Sequence, residues 1–375
     1  MVKPKVVVAG LGGMGSAAAA QLALRDASVI GIEQFRRGHA LGASSGESRV
    51  IRRAYFEHPA YVPLLDRAYQ LWHDLESTSG TQLLELQGCL TAGFHGSPLV
   101  AGAEEAVRLH DLDAELLEAT DIHRRYPALR VRDDEYGVFE PEGGMVFPEA
   151  AIDVCTTIAQ ERGAELRFDT GLVRWESERD GVRIHLSDGT SVLASRLVLT
   201  LGPWFGDTLR ALGVSLRIQR NVAAWFEPAL TLGPTELPTF LIHRREWPAP
   251  FYGFPDIGGG TKASFHGLGV ETEPLSLDRT IGRERDVDPI AAAFEAWVPG
   301  ASHTYLRAKA CMYAMTPDGH FVIDVHPADP RVIVCGGFSG HGFKFASVVG
   351  EIAADLALDG GTAFDIGFLS LTRFL

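Results

Sequence analysis

The chain has 375 residues, which is enough for two domains with substantial cores. Its 46% hydrophobic and 22% charged residues are typical of a globular enzyme, and a net charge of −14 argues against nucleic acid or an anionic membrane as a partner. No stretch is long and apolar enough to span a bilayer, and a predicted strand leaves no room for a leading signal, so we expect a cytoplasmic protein.

The four cysteines, Cys89, Cys155, Cys311 and Cys335, lie far apart and show no Cys-x-x-Cys spacing. We therefore expect neither a disulfide framework nor a metal site.

Residues 5–33 have the pattern of a dinucleotide-binding unit. The apolar run 6–9 is typical of a buried parallel strand, and a Gly-rich turn leads from it into a helical segment, 16–24. A second strand, 29–32, ends on an acidic residue.

The turn contains Gly10, Gly12 and Gly15 at G-x-G-x-x-G spacing. This spacing permits a tight turn, close approach of a pyrophosphate and packing of the helix on the strand. The helix N-terminus favours phosphate, and Glu33 is placed to bind ribose hydroxyls. The unit therefore predicts a bound dinucleotide, either NAD or FAD.

A loop rich in small and basic residues, 38–53, follows this unit. Arg49 and Arg52 would share a face of a helical turn. Two interpretations stay open, a loop that wraps the cofactor and a solvated basic surface.

The middle of the chain alternates between helical and strand patterns. We predict helices over 61–75, 101–112 and 148–162, a strand over 83–94 with a bulge or turn at Gly88, and a loop at a domain crossing over 133–148.

Residues 165–198 alternate polar and apolar side chains and are broken at Asp180-Gly181 and Asp188-Gly189. Asp-Gly between alternating segments predicts hairpins, and hence a small antiparallel meander. The meander ends in 196–202, a strand that returns to the main sheet. Because this topology is typical of two-domain flavoproteins, it favours FAD over NAD.

A second excursion covers 214–310, with predicted strands at 222–226, 250–254 and 261–266 and a helix at 288–297. After it, the chain repeats its opening pattern with a strand at 332–335, a Gly-rich turn at 336–342 and a helix at 347–358. This second helix N-terminus either faces the flavin or only packs.

Four side chains are candidates for chemistry. In a strand, Lys262 shares its face with Ser264 and His266, so it either lines a cavity or faces water. Cys311 is either a buried small hydrophobe or a thiolate that attaches to flavin. Lys344 and Arg52 are a possible pair for one carboxylate.

Six segments together resemble the monomeric sarcosine oxidase and N-methyltryptophan oxidase group of flavoproteins, over nearly the whole chain. The segments are GLGGMG at 10–15, GASSGESRVIRRAY at 42–55, YGFP at 252–255, TKASFH at 261–266, ACMYAMTPDGHFVID at 310–324 and GFSGHGFKFAS at 337–347.

The resemblance implies an α/β protein of two domains. A glutathione-reductase-like Rossmann domain for FAD would comprise 1–83, 146–213 and 311–375. A substrate domain built on an antiparallel sheet would comprise 84–145 and 214–310. It also leads us to expect a monomer.

The resemblance further implies roles for individual residues. FAD would be linked covalently to Cys311, Lys262 would activate oxygen, and Arg52 with Lys344 would bind the substrate carboxylate. The other implied pocket residues are Tyr252, His266 and Tyr313. The expected cofactor-binding residues are Gly10, Gly12, Gly13, Met14, Gly15, Glu33, Gln34, Gly42, Ser44, Ser45, Arg49, Gly202, Trp204, Cys311, Met312, Gly337, Phe338, Gly340, His341, Gly342, Phe343 and Lys344.

The chain departs from this group at Ser44-Ser45, where the group usually carries a His-His pair. The departure bears on the packing beside the flavin and on the identity of the substrate.

The expected reaction is oxidation of a secondary amine, an N-methyl or cyclic amino acid such as sarcosine, N-methyltryptophan or pipecolate. A hydride equivalent passes to FAD, the imine hydrolyses, and O2 is reduced to H2O2. The alternatives are a dehydrogenase with another acceptor, a fructosyl-amino acid or biosynthetic amine oxidase of the same fold, an NAD-dependent dehydrogenase and a non-catalytic dinucleotide sensor.

Overall fold

The computed structural model describes residues 5–374; residues 1–4 and 375, which belong to the predicted FAD domain, lie outside the described residues. The strands are β1 (Lys5–Ala9), β2 (Ser28–Ile32), β3 (Arg49–Ile51), β4 (Leu84–Glu85), β5 (Cys89–Phe94), β6 (Glu115–Glu118), β7 (Glu135–Glu140), β8 (Gly144–Val146), β9 (Glu165–Arg167), β10 (Leu172–Glu178), β11 (Gly181–Leu186), β12 (Ser191–Ala194), β13 (Arg196–Leu199), β14 (Arg217–Glu227), β15 (Thr239–His243), β16 (Phe251–Phe254), β17 (Thr261–Phe265), β18 (Val270–Thr272), β19 (Thr304–Met315), β20 (Val322–His326) and β21 (Asp329–Gly336). The α-helices are α1 (Gly13–Leu24), α2 (Val62–Ser79), α3 (Pro98–His110), α4 (Ala119–Arg125), α5 (Pro148–Glu161), α6 (Gly206–Ala211), α7 (Asp288–Trp297) and α8 (Ala346–Leu358).

The first sheet has the strand order β20-β21-β13-β1-β2-β9. Its pairings are parallel except for β20, which runs antiparallel to β21. Val6 and Val8 pack into the core that contains α1, α5 and α8, whereas Val7 and Ala9 pack against the core under the β10–β12 meander. Because both faces are covered, β1 is a continuous apolar run, as predicted.

The meander confirms the prediction from the two Asp-Gly pairs. Strands β10, β11 and β12 pair in antiparallel register, and Gly189 in the second turn has φ +83°. That left-handed conformation is open to glycine at little cost.

The second large sheet is mostly antiparallel, with the strand order β18-β14-β17-β16-β15-β5-β7-β6 and with β19 paired to the other side of β14. One face carries a core that includes Ala263 of β17 and Phe294 and Trp297 of α7. The opposite face bears Lys262, which lies opposite Trp225 of β14. The predicted α/β fold with one mostly parallel and one mostly antiparallel sheet is therefore confirmed.

The predicted loop over 133–148 is wrong, because this segment contains β7 and β8. Gly137 and Gly144 in this segment serve close packing rather than turns. A Cβ on Gly137 would lie 2.8 Å from the carbonyl oxygen of Thr91 on the paired strand, and one on Gly144 would lie 2.9 Å from Cα of Leu86. Composition alone does not distinguish such glycines from loop glycines.

The predicted strand over 83–94 is two strands in different sheets. The chain turns between β4 and β5 at Gly88, whose φ is +95°, in agreement with the turn predicted there. The predicted domain boundaries stay a prediction; β19 runs without a break across the boundary at 310/311.

No helix within residues 5–374 combines the length and the apolarity needed to cross a membrane.

Candidate active site

One cavity, called the main cavity below, brings together residues from both large sheets. At one end it is lined by the Gly-rich turn after β1, and at the other by Arg52, His266 and Lys344. The predicted site residues in its lining are Gly10, Gly12, Gly13, Met14, Glu33, Gln34, Gly42, Ser44, Arg49, Arg52, Gly202, Trp204, Tyr252, His266, Met312, Tyr313, Gly337, Phe338, Gly340, His341, Gly342, Phe343 and Lys344. Among the described residues, four predicted ones do not line it, namely Gly15, Ser45, Lys262 and Cys311.

The turn between β1 and α1 has no space for side chains. Gly10 has φ +89°, and a Cβ there would collide with the Thr200 carbonyl. A Cβ on Gly15 would collide with the Gly10 carbonyl and lie 2.5 Å from Oγ1 of Thr200. The same hydroxyl lies 2.9 Å from the Ala9 carbonyl and 2.8 Å from the Gly10 carbonyl, and it holds the turn closed against the sheet.

The N-terminus of α1 is open to an anion. Within residues 5–374 its N-cap, Gly12, provides no side-chain hydrogen bond, and no acidic residue stands in its first turn. The backbone N–H of Gly13 donates to Oγ of Ser44 at 3.2 Å. Free N–H groups and the positive end of the helix dipole together suit a pyrophosphate.

Glu33 is only 6% exposed and is held by the backbone. Its carboxylate accepts hydrogen bonds from the N–H of Leu11 at 2.8 Å and of Phe35 at 3.1 Å. Nε2 of His39 lies 3.4 Å from the same carboxylate. The acid is thus fixed at the end of β2, where a ribose is expected.

The second Gly-rich turn is joined to the end of β19. The N–H of Ser339 donates to the carbonyl of Ala314 at 2.9 Å, and Gly340, at φ +79°, packs directly on the ring of Tyr313. Downstream, α8 packs on α1, where a Cβ on Gly350 would lie 2.6 Å from the backbone of Ala17. The two strand–turn–helix units therefore face one cavity from adjacent positions.

These residues fit FAD. The glycine turn leaves space for a pyrophosphate, and Trp204 in the cavity wall has a buried Nε1 for which the described residues provide no acceptor. A buried donor without a partner is costly, so a ligand acceptor at that position would be favourable.

At the opposite end of the cavity, two buried cations lie over the same aromatic ring. Arg52 is 1% and Lys344 5% exposed. The guanidinium carbon of Arg52 lies 4.7 Å, and Nζ of Lys344 lies 5.0 Å, from the centroid of Tyr55. Arg52 donates to the Ala54 carbonyl and, at 3.0 Å, to Glu57, while Lys344 donates to the His341 carbonyl at 3.1 Å. The basic segment is therefore not simply a solvated surface loop.

The charges at this end are strongly coupled. Burial would raise the pKa of Glu57, but Arg52, His341 and Lys344 lower it to about 2. Burial and the nearby Arg52 lower the pKa of Lys344 to about 7, against the opposing effect of Glu57. Arg52 therefore keeps its charge, whereas Lys344 titrates near neutral pH.

His341 is neutral because burial lowers its pKa to about 3. Its Nε2 lies 3.0 Å from the Gly319 carbonyl, which only accepts, so Nε2 carries the proton. Nδ1 then accepts from the hydroxyl of Tyr55 at 2.5 Å. These two hydrogen bonds fix the ring of Tyr55, over which Arg52 and Lys344 lie.

The antiparallel sheet contributes an aromatic wall. Tyr252 lies opposite Ser264 in the strand register, which places it on the face predicted for Lys262 and His266. The ring of His266 lies 5.6 Å from Tyr313 and 6.5 Å from Tyr252. Burial lowers the pKa of His266 to about 4 and raises the pKa values of both tyrosines, so all three side chains are neutral at pH 7.

Lys262 is 3% exposed, so the interpretation that it faces water is wrong. Its Nζ donates to the Gly46 carbonyl at 2.7 Å, to the Ser48 carbonyl at 2.8 Å and to Oγ of Ser48 at 3.2 Å. Burial, followed by the charge of Arg49, lowers its pKa well below the ordinary value.

Cys311 is a free, half-buried thiol in β19. It lies opposite Asn221 of β14, and its neighbours Met312 and Tyr313 line the main cavity. It is close enough to Lys262 and Tyr252 to act on their pKa values. The thiol is therefore at the edge of the site.

Sequence reasoning missed several lining residues, including His39, Glu57 and Glu149. Glu149 had a signal, because it stands in the first turn of a predicted helix. Its carboxylate accepts from the N–H groups of Gly46 at 2.6 Å and Glu47 at 3.1 Å. His39 and Glu57 belong to no recognisable motif, although their ion-pair partners, Glu33 and Arg52, lie close to them in the chain.

Comparison with known proteins agrees with this geometry. The family model described as FAD dependent oxidoreductase matches residues 5–356. A monomeric sarcosine oxidase from Streptomyces avermitilis is 43% identical over 98% of this chain and 97% of its own length. An N-methyl-L-tryptophan oxidase from Yersinia pestis is 32% identical over 98% of this chain and 99% of its own length.

Among solved structures, NikD, described as an unusual amino acid oxidase essential for nikkomycin biosynthesis, matches with a TM-score of 0.85 and 26% identity, over 98% of this chain and 96% of its own. The resemblance drawn from the motifs is thereby confirmed. The chain belongs to the family of FAD-dependent oxidoreductases.

Proposed function

We propose that the protein is an oxidase of a secondary amine that carries a carboxylate, such as sarcosine, N-methyltryptophan or pipecolate. The observation that carries this proposal is the pair of buried cations, Arg52 and Lys344, in the cavity that also contains the dinucleotide-binding turn. The names of the relatives, sarcosine oxidase and N-methyl-L-tryptophan oxidase, support it.

Arg52 and Lys344 bind the substrate carboxylate by charge-assisted hydrogen bonds. A carboxylate held at that end leaves the amine and its neighbouring C–H bond in the part of the cavity lined by Tyr252, His266 and Tyr313. Fixing this orientation accounts for a large part of the rate gain. FAD, held by the Gly-rich turn and Glu33, would supply the acceptor for a hydride equivalent from that C–H bond and would return the two electrons to O2, which with two protons gives H2O2.

The neutral aromatic side chains keep this region dry, so that its charges are those of Arg52, Lys344 and the paired Glu57. Because the pKa of His266 is about 4, its ring stays uncharged and does not repel a substrate ammonium. Lys262, on the same sheet face, contributes positive charge where O2 is reduced. Its three acceptors on the 46–48 loop hold the ammonium in place.

We further propose that Cys311 is the covalent attachment site of FAD, since it is a free thiol whose charge acts on Tyr252 and Lys262. We keep the domain boundaries, a monomeric state and a cytoplasmic location as predictions.

A peroxide assay under air tests the proposed reaction. Purified protein is given sarcosine, N-methyltryptophan, pipecolate, proline and a fructosyl amino acid, each beside its decarboxylated amine as the matched control. We expect peroxide from at least one N-methyl or cyclic amino acid and none from its control. Flavin reduction without peroxide would instead identify a dehydrogenase with another acceptor.

A further inference from the structure

The described part of the chain has a second cavity, of about 450 Å³, beside Lys262. We call it the Trp225 cavity. Most of its wall is apolar, formed by Met145, Phe147, Trp225, Phe254 and Ile257. The apolar part of this wall favours small apolar molecules over charged ones.

Lys262 belongs to this cavity. It is part of the lining of the Trp225 cavity but, among the described residues, not of the main cavity. Its Nζ lies 4.7 Å from the centroid of Phe254 and 5.2 Å from that of Trp225. The buried ammonium therefore sits at the inner end of an aromatic passage.

The wall between the two cavities is thin. The Ser48 carbonyl accepts from Nζ of Lys262 at 2.8 Å and from Nη1 of Arg49, also at 2.8 Å. Arg49 lines the main cavity, Lys262 lines the Trp225 cavity, and Glu149 lines both. A single carbonyl group thus separates a cation on the flavin side from the cation on the other side.

The outer end of the Trp225 cavity is polar and exposed. Arg307 pairs with Glu47 at 2.7 Å, donates to the Gly259 carbonyl at 2.9 Å and lies 4.8 Å from the centroid of Trp225. Arg307 and Glu47 are about half exposed, at 43% and 52%. These contacts join the three segments around the opening at the surface.

We propose that the Trp225 cavity is the path by which dioxygen reaches Lys262, separate from the main cavity through which the amine enters. This inference rests on the proposed oxidase function. Dioxygen is small, neutral and apolar, so the aromatic lining favours it over a zwitterionic amino acid. The ammonium of Lys262 already donates three hydrogen bonds and has no free donor for a substrate carboxylate.

The test fills the cavity and measures each half-reaction separately. Ala150 lines the Trp225 cavity and is half-buried, so Ala150→Phe puts a ring into the path. Ala101→Phe places the same ring on the exposed surface of α3 as the matched control. The flavin is photoreduced without substrate and mixed with O2; in a second experiment the oxidised protein is mixed anaerobically with amine.

We expect Ala150→Phe to slow reoxidation at least several-fold, with anaerobic reduction unchanged and with Ala101→Phe like the wild type. The variant Lys262→Met shows how much reoxidation slows when the positive charge of Lys262 is lost. Equal reoxidation rates for Ala150→Phe and wild type would overturn the inference while leaving the oxidase function intact. A reduced wild type that hardly reacts with O2 would overturn both.

A readout independent of turnover is xenon binding in crystals under pressure, since xenon enters apolar cavities of this kind. We expect xenon between Trp225 and Phe254 in the wild type and its loss in Gly259→Leu. Gly259 is suitable because its new Cβ would meet only the flexible ends of Arg307, at 3.3 Å, and Glu47, at 3.8 Å. Xenon found in the main cavity but not beside Trp225 would contradict the proposed path.

Discussion

The two cations of the main cavity share an aromatic neighbour but differ in their response to pH. The guanidinium of Arg52 stays charged, while the pKa of Lys344, lowered by burial and by Arg52, is about 7. Among the groups facing them, the pKa is about 2 for Glu57, about 3 for His341 and about 4 for His266, while burial raises the pKa of Glu140. Near pH 7, therefore, Lys344 changes the charge of this end of the cavity.

This difference predicts a pH-dependent affinity for carboxylates. As pH rises through about 7, Lys344 loses its proton, so acetate should bind progressively more weakly to the oxidised protein. Because a bound anion favours the ammonium, the complex loses its proton at a higher pH than the free protein. Spectral titration of the flavin with acetate from pH 6 to 9 measures this, and acetate avoids the ionisation of a substrate amine.

The control is Lys344→Gln, which removes the titrating group and keeps the chain length similar. We expect Lys344→Gln to bind acetate more weakly than the wild type at low pH. Its acetate affinity should then stay constant as the pH rises. An unchanged pH dependence in Lys344→Gln would show that another group is responsible.

At the scale of elements, the site depends on two strand–turn–helix units whose turns are made of glycine. In the second unit, Gly340 combines φ +79° with direct contact to the ring of Tyr313. In the meander, Gly189 has nearly the same φ, +83°, but a Cβ there would meet no described heavy atom within 4 Å. A comparison of substitutions at Gly340 and Gly189 therefore separates the cost of backbone strain from the cost of steric conflict.

We predict that Gly340→Ala destabilises the protein more than Gly189→Ala does. The left-handed conformation costs any L-residue about 1–2 kcal/mol, and at residue 340 the displacement of Tyr313 adds to it. Urea denaturation gives the two free energies of unfolding, and amine titration gives KM. Equal losses of stability, or an unchanged KM in Gly340→Ala, would argue against a role of this turn in placing Tyr313.

The elements show what the sequence can predict. The Asp-Gly pairs and the glycine triplet act through local backbone conformation, so β10–β12 and the β1–α1 turn were predictable. Gly137 was misread because its reason, the close approach of Thr91, lies on another strand. The burial of Lys262 was not predictable for the same reason, since its acceptors Gly46 and Ser48 come from a distant part of the chain. Glu57 has a near partner in Arg52, but its place beside His341 and Lys344 depends on a distant segment.

At the scale of the whole molecule, the main cavity joins the two large sheets. The dinucleotide-binding turn lies on the parallel sheet, and Tyr252, His266 and Tyr313 come from the antiparallel one. FAD bound there would contact both sheets and stabilise their arrangement by mass action. Cys311, in β19 of the antiparallel sheet, would then tie the cofactor to the sheet that binds the substrate.

This arrangement predicts that Cys311→Ser releases its flavin on acid precipitation, because the cysteinyl link is the bond that survives denaturation. The wild type should give a yellow pellet and the variant a yellow supernatant. Cys155→Ala, which removes a buried thiol of α5, should behave like the wild type. A yellow pellet from Cys311→Ser would rule out the proposed attachment site.

The visible spectrum of the purified protein, recorded without oxygen before and after addition of an N-methyl amino acid, tests whether the main cavity holds a flavin that an amine reduces. We predict a yellow protein whose flavin absorption bleaches on mixing and returns when air is admitted. A protein that stays colourless even when FAD is supplied during folding, or a flavin that no amino acid bleaches, would contradict the function proposed here.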